Sequence, residues 1–233
     1  MNIIRRNIAN GITALNLLSG CVAIIFAFHP STRFGALEGW QWACVAIGVA
    51  AVADFFDGFT ARLLHAHSPL GKQLDSLSDL VSFGVAPAML LYNLLTESAD
   101  APAWLPWLML MVPVAGALRL ARFNIDERQA MGFIGLPIPA NAIFWIGYVA
   151  MALGYAPMLF TPAWLIPIVV VESWLMISPM RMFALKFKSY AFRPNILRYL
   201  LIIAAPVMII CMGLPALFWI IILYLLLSAA NKE

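Results

Sequence analysis

Apolar residues along the chain gather into blocks close to the roughly 20 residues an α-helix needs to cross a bilayer, with short polar or Pro/Gly-containing breaks between them. The blocks predict spans near residues 11–28, 39–61, 76–96, 104–122, 138–155, 160–178, 196–212 and 214–230. Only Met212-Gly213-Leu214-Pro215 divides the last two, so the pattern supports six to eight spans, with eight as the best count. No period of 20–50 residues repeats and no low-complexity tract intervenes. The expected fold is an all-α integral membrane bundle that fills residues 1–233 as a single domain. Ahead of the first block, NIIRRNIAN can lie flat as an interfacial helix, with Ile3, Ile4 and Ile8 dipping in, or serve as a plain basic flank. It carries no small-residue cleavage site and further spans follow, so it is expected to be retained.

Composition agrees with a membrane solvent. The chain is 64% hydrophobic and 11% charged, against roughly 25% charged in a soluble domain. Its net charge of +3 is spread over several loops, which argues for topology and against a nucleic-acid partner. Arg5 and Arg6, then Arg62 and Lys72, then Arg119, Arg122 and Arg128, then Arg181, Lys186, Lys188, Arg193 and Arg198, and finally Lys232 all fall in alternate connections. The opposite loops carry Glu38, Glu97 and Asp100 with only Arg33. Positive loops stay inside, so both termini are expected in the cytoplasm. Cys21, Cys44 and Cys211 lie apart in apolar stretches and read as core residues. Trp40, Trp42, Trp104 and Trp107 lie near span ends and read as interfacial anchors.

Charge inside the blocks is the informative exception. The stretch from Ala53 to Gly84 reads ADFFDGFTARLLHAHSPLGKQLDSLSDLVSFG. At about 100° per residue, Asp54 and Asp57 share one helix face about 60° wide, and Asp75 and Asp79 share another about 40° wide. A short connection through Ser68-Pro69-Leu70-Gly71 lets the two helices return antiparallel and bring those faces together. An isolated aspartate at span depth costs about 2.5–3.5 kcal/mol, and four together repel one another. Arg62 and Lys72 supply too little compensation, whereas one or two Mg²⁺ or Mn²⁺ ions suit an all-oxygen set. Such carboxylate-held metals serve phosphoryl chemistry by stabilising attacking and leaving oxygens together. Gly58, Ala61 and Gly71 leave room for a ligand near the backbone, and Arg62 can pair with a phosphate. Small-residue helix packing is the plainer reading of those glycines, but it needs no acids.

Asp54-x-x-Asp57-Gly58-x-x-Ala61-Arg62, eight residues, then Gly71-x-x-x-Asp75-x-x-x-Asp79 resembles the complete signature of the CDP-alcohol phosphotransferases. With each residue type near 5% of usage, an accidental match is on the order of 10⁻¹⁰ per starting position. The resemblance implies transfer of a phosphatidyl or phosphoalcohol group from a CDP-linked donor to an alcohol, with release of CMP. It implies that Asp54, Asp57 and Asp75 bind metal. Asp79 would complete a second metal site and take the acceptor's proton, while Gly58, Ala61, Arg62 and Gly71 line the nucleotide diphosphate. Thr13 and Asn16, one turn apart, could face the nucleotide or glue helices together.

The acceptor must be read elsewhere. The run Asp75 to Ala88, the run Thr13 to Gly20, Arg119 to Asn124 with Gly135 to Pro139, and more loosely Leu175 to Ser178 resemble the family's serine-accepting members, the phosphatidylserine synthases. That implies CDP-diacylglycerol and L-serine as substrates, phosphatidylserine and CMP as products, two divalent cations, and a homodimer among bilayer lipids. It also implies a bacterial or archaeal cytoplasmic membrane, with the active site on the cytoplasmic side. Arg119, Arg122, Asn124 and Lys186 could meet the serine carboxylate, or act as positive-inside anchors. The alternatives are a family member using glycerol 3-phosphate or inositol, and more remotely a cation transporter that runs ions past the aspartates. Glu172 is expected as a structural polar contact with an arginine, ahead of a direct catalytic role. His65 and His67 are read as solvated loop residues.

Overall fold

Residues 3–64, 68–99, 101–126, 133–183 and 195–231 are described by a computed structural model, without the side chains of residues 3–9 and 133. Arg128, His65, His67, Lys186, Lys188, Arg193 and Lys232, singled out above, lie outside the described residues. The protein is an all-α polytopic membrane protein. Four helical stretches, Asn10–Ala27, Gly39–Leu63, Pro69–Glu97 and Leu105–Ile125, are long and apolar enough to cross a bilayer. Four shorter apolar helices follow, at Ile138–Gly154, Pro162–Ile177, Ile196–Met212 and Ala216–Ala230. These eight segments match the eight apolar blocks. The helices group into two compact units, Met1–Leu120 and Ala121–Glu233.

In the first unit, α1 (Ile3–Ala27) is the organising element. It continues unbroken through residues 3–9, so the segment that could have formed a separate interfacial helix is the opening of α1. It packs against α2 (Gly39–Leu63), α3 (Pro69–Asp79) and α4 (Ala86–Glu97). Ala23 and Ala27 of α1 and Ala43, Ala46 and Ala50 of α2 are all buried. Small side chains let two helix backbones approach closely where lipid gives no hydrophobic drive. A two-residue hairpin, β1 (Arg33–Phe34) with β2 (Leu37–Glu38), joins the two helices.

α3 begins at Pro69, within the short connection expected before the helix of Asp75 and Asp79 and ahead of the apolar block that starts near residue 76. Ser68 is its N-cap, with Oγ accepting from the Gly71 amide at 3.0 Å, and Pro69 fills the first helical position. These are strong start signals. The first turns carry Lys72, Gln73 and Asp75, which interrupt an apolar block without interrupting a helix. Between α3 and α4 the backbone widens into a π-helical turn, Leu80–Val85, where the Ala86 amide reaches back to the Val81 carbonyl. Pro87 has no amide hydrogen to offer Phe83, so the regular ladder cannot continue there.

The second unit contains α6 (Ile138–Gly154), α7 (Pro162–Ile177), α8 (Ile196–Met212) and α9 (Ala216–Ala230). The preceding helix α5 (Met111–Ile125) starts in the first unit and ends in this one. α6 packs on α9 and holds Trp145 and Tyr148 fully buried. The Trp145 indole donates to Asn141 Oδ1 at 2.9 Å. That tryptophan is core, whereas Trp104 and Trp107 are exposed as expected of anchors. Two short strands, β3 (Phe133–Ile134) and β4 (Arg181–Met182), pair antiparallel. Ile25, Phe55, Ile203, Ile210 and Leu226 are all exposed on helix faces. Such side chains would be unfavourable in water and are at home in acyl chains. Cys44 is buried, but Cys21 and Cys211 are exposed on such faces, not in the core.

Candidate active site

The four signature aspartates all belong to the first unit and converge. Asp54 and Asp57 lie in the last three turns of α2, and Asp75 and Asp79 lie in the second half of α3. Asp54, Asp57 and Asp75 each present a carboxylate oxygen, and these oxygens lie within 4.8 Å of one another. Asp79, the last residue of α3, sits within hydrogen-bonding reach of Asp54. The helices do not meet by simply folding back on each other, because the chief packing partner of α3 is α1 rather than α2. α1 lies along both and contributes polar groups of its own.

Thr13 and Asn16 are those groups, and both are buried. The Thr13 side chain lies within hydrogen-bonding reach of the Asp57 carboxyl. Asn16 Nδ2 donates to Asp79 Oδ1 at 3.1 Å. Ser82, in the π-helical turn, donates its hydroxyl to the Asn16 carbonyl at 2.9 Å. Gly20, one turn beyond Asn16, makes this approach feasible, since a Cβ there would stand 2.3 Å from Ser82 Oγ. Ser82, Gly20 and the π turn were not picked out as site-forming residues. Their signals were present in Pro87 and in the four-residue spacing of Asn16 and Gly20, but their meaning depends on which helices pack together.

Two buried oxygens in this cluster, Asp57 Oδ2 and Asn16 Oδ1, have no hydrogen-bond partner among the described residues. A buried polar atom left unpaired costs about 1–3 kcal/mol, so these oxygens fit a site built to receive further groups. A trio of oxygen donors of this charge is the ligand chemistry of Mg²⁺ or Mn²⁺.

The flanking signature residues separate into two kinds. A Cβ built on Gly58 would meet nothing within 4 Å, so the space beside Asp57 is open. Gly71 has no such space: a Cβ there would meet Ser68 Oγ at 3.0 Å and Asn10 Oδ1 at 3.2 Å. Its smallness serves the approach of α3 to α1. Ala61 is half-buried and Arg62 exposed at the end of α2.

Among the residues considered for the acceptor, Arg119 is buried within α5 in the first unit. Arg122 is exposed in the second unit, where its Nη1 donates to the Ile177 carbonyl at 2.8 Å. Asn124 is half-buried, and Lys186 lies outside the described residues. The Gly135 amide donates to the Met180 carbonyl, and the Leu136 amide to the Leu175 carbonyl. Within the second unit, Arg122 and the runs Gly135–Pro139 and Leu175–Ser178 therefore meet at the C-terminal end of α7. Glu172 is buried in the stripe of α7 formed with Leu165, Val169, Ser173 and Met176, and its Oε1 has no hydrogen-bond partner among the described residues.

The family model for CDP-alcohol phosphatidyltransferase matches residues 6–178. The chain belongs to the CDP-alcohol phosphatidyltransferase family. The match takes in α1 through α7 and crosses the division between the two compact units. A Mycobacterium leprae protein named CDP-diacylglycerol–serine O-phosphatidyltransferase is 38% identical over 175 residues, covering 71% of this phosphatidyltransferase-family chain and 55% of the relative. One of the same name from Methanocaldococcus jannaschii is 36% identical over 148 residues, 64% of this chain and 63% of its own. Another from Mycobacterium bovis is 31% identical over 225 residues, 92% of this chain and 73% of its own. The chain thus spans about half to three quarters of the length of these relatives.

Proposed function

We propose that the chain transfers a phosphatidyl group from CDP-diacylglycerol to the hydroxyl of L-serine, giving phosphatidylserine and CMP. The observation that carries this reading is the convergence of Asp54, Asp57 and Asp75 within 4.8 Å, with Asp79 beside them, in a chain of this family. The names of the relatives support serine as the acceptor. Residues 1–233 act as one catalytic domain in this reading.

Asp54, Asp57 and Asp75, with Asp79, would hold two Mg²⁺ or Mn²⁺ ions. When bound, the ions draw charge from the diphosphate and stabilise CMP as it leaves. Everything else is assigned to the chain. The open space beside Gly58 receives the nucleotide diphosphate against the α2 backbone, with Ala61, Arg62 and Gly71 around it. Arg62 pairs with a phosphate oxygen, a contact suited to its fork of donors. Asp79 accepts the proton of the serine hydroxyl as that oxygen attacks the phosphorus on the lipid side. The bond from that phosphorus to the CMP oxygen then breaks, and no covalent enzyme intermediate forms. An alcohol is a weak nucleophile, so a positioned base contributes about 10²–10⁴-fold. Arg119, Arg122, Asn124 and Lys186 remain candidates for the serine carboxylate. The basic connections around Arg62 and Lys72 support a cytoplasmic site, and a homodimer is part of the same proposal.

The test uses purified protein in detergent with CDP-diacylglycerol and Mn²⁺ or Mg²⁺, offering serine, glycerol 3-phosphate and inositol separately and identifying the lipid product by mass spectrometry. Phosphatidylserine with serine alone is the expected result. A product with either other acceptor and none with serine would reassign the acceptor, and no CMP with any of them would end the enzyme reading.

A further inference from the structure

The polar face of α1 carries an inference beyond the nucleotide contact first considered for it. Thr13 and Asn16 lie one turn apart, so their side chains point the same way along the helix. Each faces a carboxylate from a different acidic helix: Thr13 lies within hydrogen-bonding reach of Asp57 of α2, and Asn16 donates to Asp79 of α3. Neither side chain can turn away to solvent, since Thr13 is 4% exposed and Asn16 is 0% exposed. The backbone behind them is held as well, because Ser82 donates to the Asn16 carbonyl and Gly20 packs directly on Ser82. Ser82 itself lies in the π-helical turn.

A carboxylate on a helix can rotate about its side-chain torsions, and on α2 itself the neighbouring Gly58 amide is a donor to Asp57, so a group from another helix adds to what fixes its rotamer. A donor from α1 favours one rotamer and engages one lone pair of the oxygen it meets. With Asn16 on Asp79 Oδ1, the carboxyl is held while its remaining lone pairs face Asp54 and what enters the site. With Thr13 on the Asp57 carboxyl, the buried and unpartnered Oδ2 is the oxygen left for a ligand.

We propose that Thr13 and Asn16 are positioning residues, through which α1 sets the orientation of one aspartate from each acidic helix. The proposal rests on the functional reading above and deepens it. Groups one step behind metal ligands or reacting groups typically influence affinity or activity by about 10–100-fold.

The two arms differ in their readout. Thr13→Val keeps the shape and removes the hydroxyl, and is expected to weaken Mn²⁺ binding about 10-fold in unliganded protein, read by electron paramagnetic resonance without substrate. Asn16→Leu is expected to lower kcat about 10–100-fold while leaving KM for CDP-diacylglycerol and the thermal unfolding midpoint near wild type. In the Asp79→Asn background, Asn16→Leu should add little, because the two act through one bond. Wild-type Mn²⁺ affinity in Thr13→Val together with additive losses in the Asn16/Asp79 pair would overturn the proposal. A raised KM with unchanged kcat in Asn16→Leu would return that residue to the nucleotide and overturn its half. If Asp79→Asn itself keeps full turnover, the base assignment fails, while the Thr13 arm still decides the positioning role of α1.

Discussion

Replacing Asp79 by Asn is expected to lower kcat for CMP release by about 10²–10⁴-fold, the range for losing a positioned general base. The amide keeps the shape of the carboxylate, and its oxygen can still accept from Asn16 Nδ2, so the packing of α3 on α1 has no reason to change. Asp54, Asp57 and Asp75 still converge within 4.8 Å, so Mn²⁺ should bind the variant. What is lost is a group able to take the hydroxyl proton. Steady-state kinetics with Mn²⁺ titration checks this: turnover close to wild type would remove Asp79 from the role of base.

The second large effect is at Gly58. A side chain can leave the backbone here without a clash at its first atom, since a Cβ would meet nothing within 4 Å. Glycine is about 1 kcal/mol less favourable than alanine inside a helix, so replacing it also gains helix propensity. Gly58→Leu is therefore expected to hold or raise the unfolding midpoint in detergent. It should still lower kcat/KM by about 10²-fold, because a diphosphate displaced by about 1 Å loses its reactive alignment. Loss of activity together with loss of stability would show that the space is packing space, not ligand space. Normal activity in a stable Gly58→Leu protein would move the nucleotide away from α2.

How much of this was legible in the sequence depended on how local each feature is. The eight apolar blocks match eight helical segments because crossing a bilayer demands length and hydrophobicity, and both can be read along a line. The aspartate pairs were legible for a similar reason, since a spacing of three or four residues on a helix fixes a shared face. The apolar block from residue 76 leaves out the first turns of α3 because they are polar, but the helix itself was legible through Asp75 and Asp79, and Ser68-Pro69 marks its start. The role of α1 was not legible. A Thr and an Asn in an apolar run could equally face a nucleotide or glue helices, and only the packing of α1 against both α2 and α3 turns them toward Asp57 and Asp79. Gly58 and Gly71 looked alike as small residues, yet one borders open space and the other borders Asn10 and Ser68.

The most direct measurement is Mn²⁺ binding to unliganded protein by electron paramagnetic resonance, comparing wild type with Asp54, Asp57 and Asp75 changed together to Asn. Three neutral amides keep the volume of the site but remove the charge that makes a divalent ion favourable there. The expected result is saturable binding in wild type and its loss in the triple variant at an unchanged unfolding midpoint. Equal Mn²⁺ affinity in the two proteins would contradict the assignment of these aspartates as the metal-holding centre of a phosphatidyl transferase.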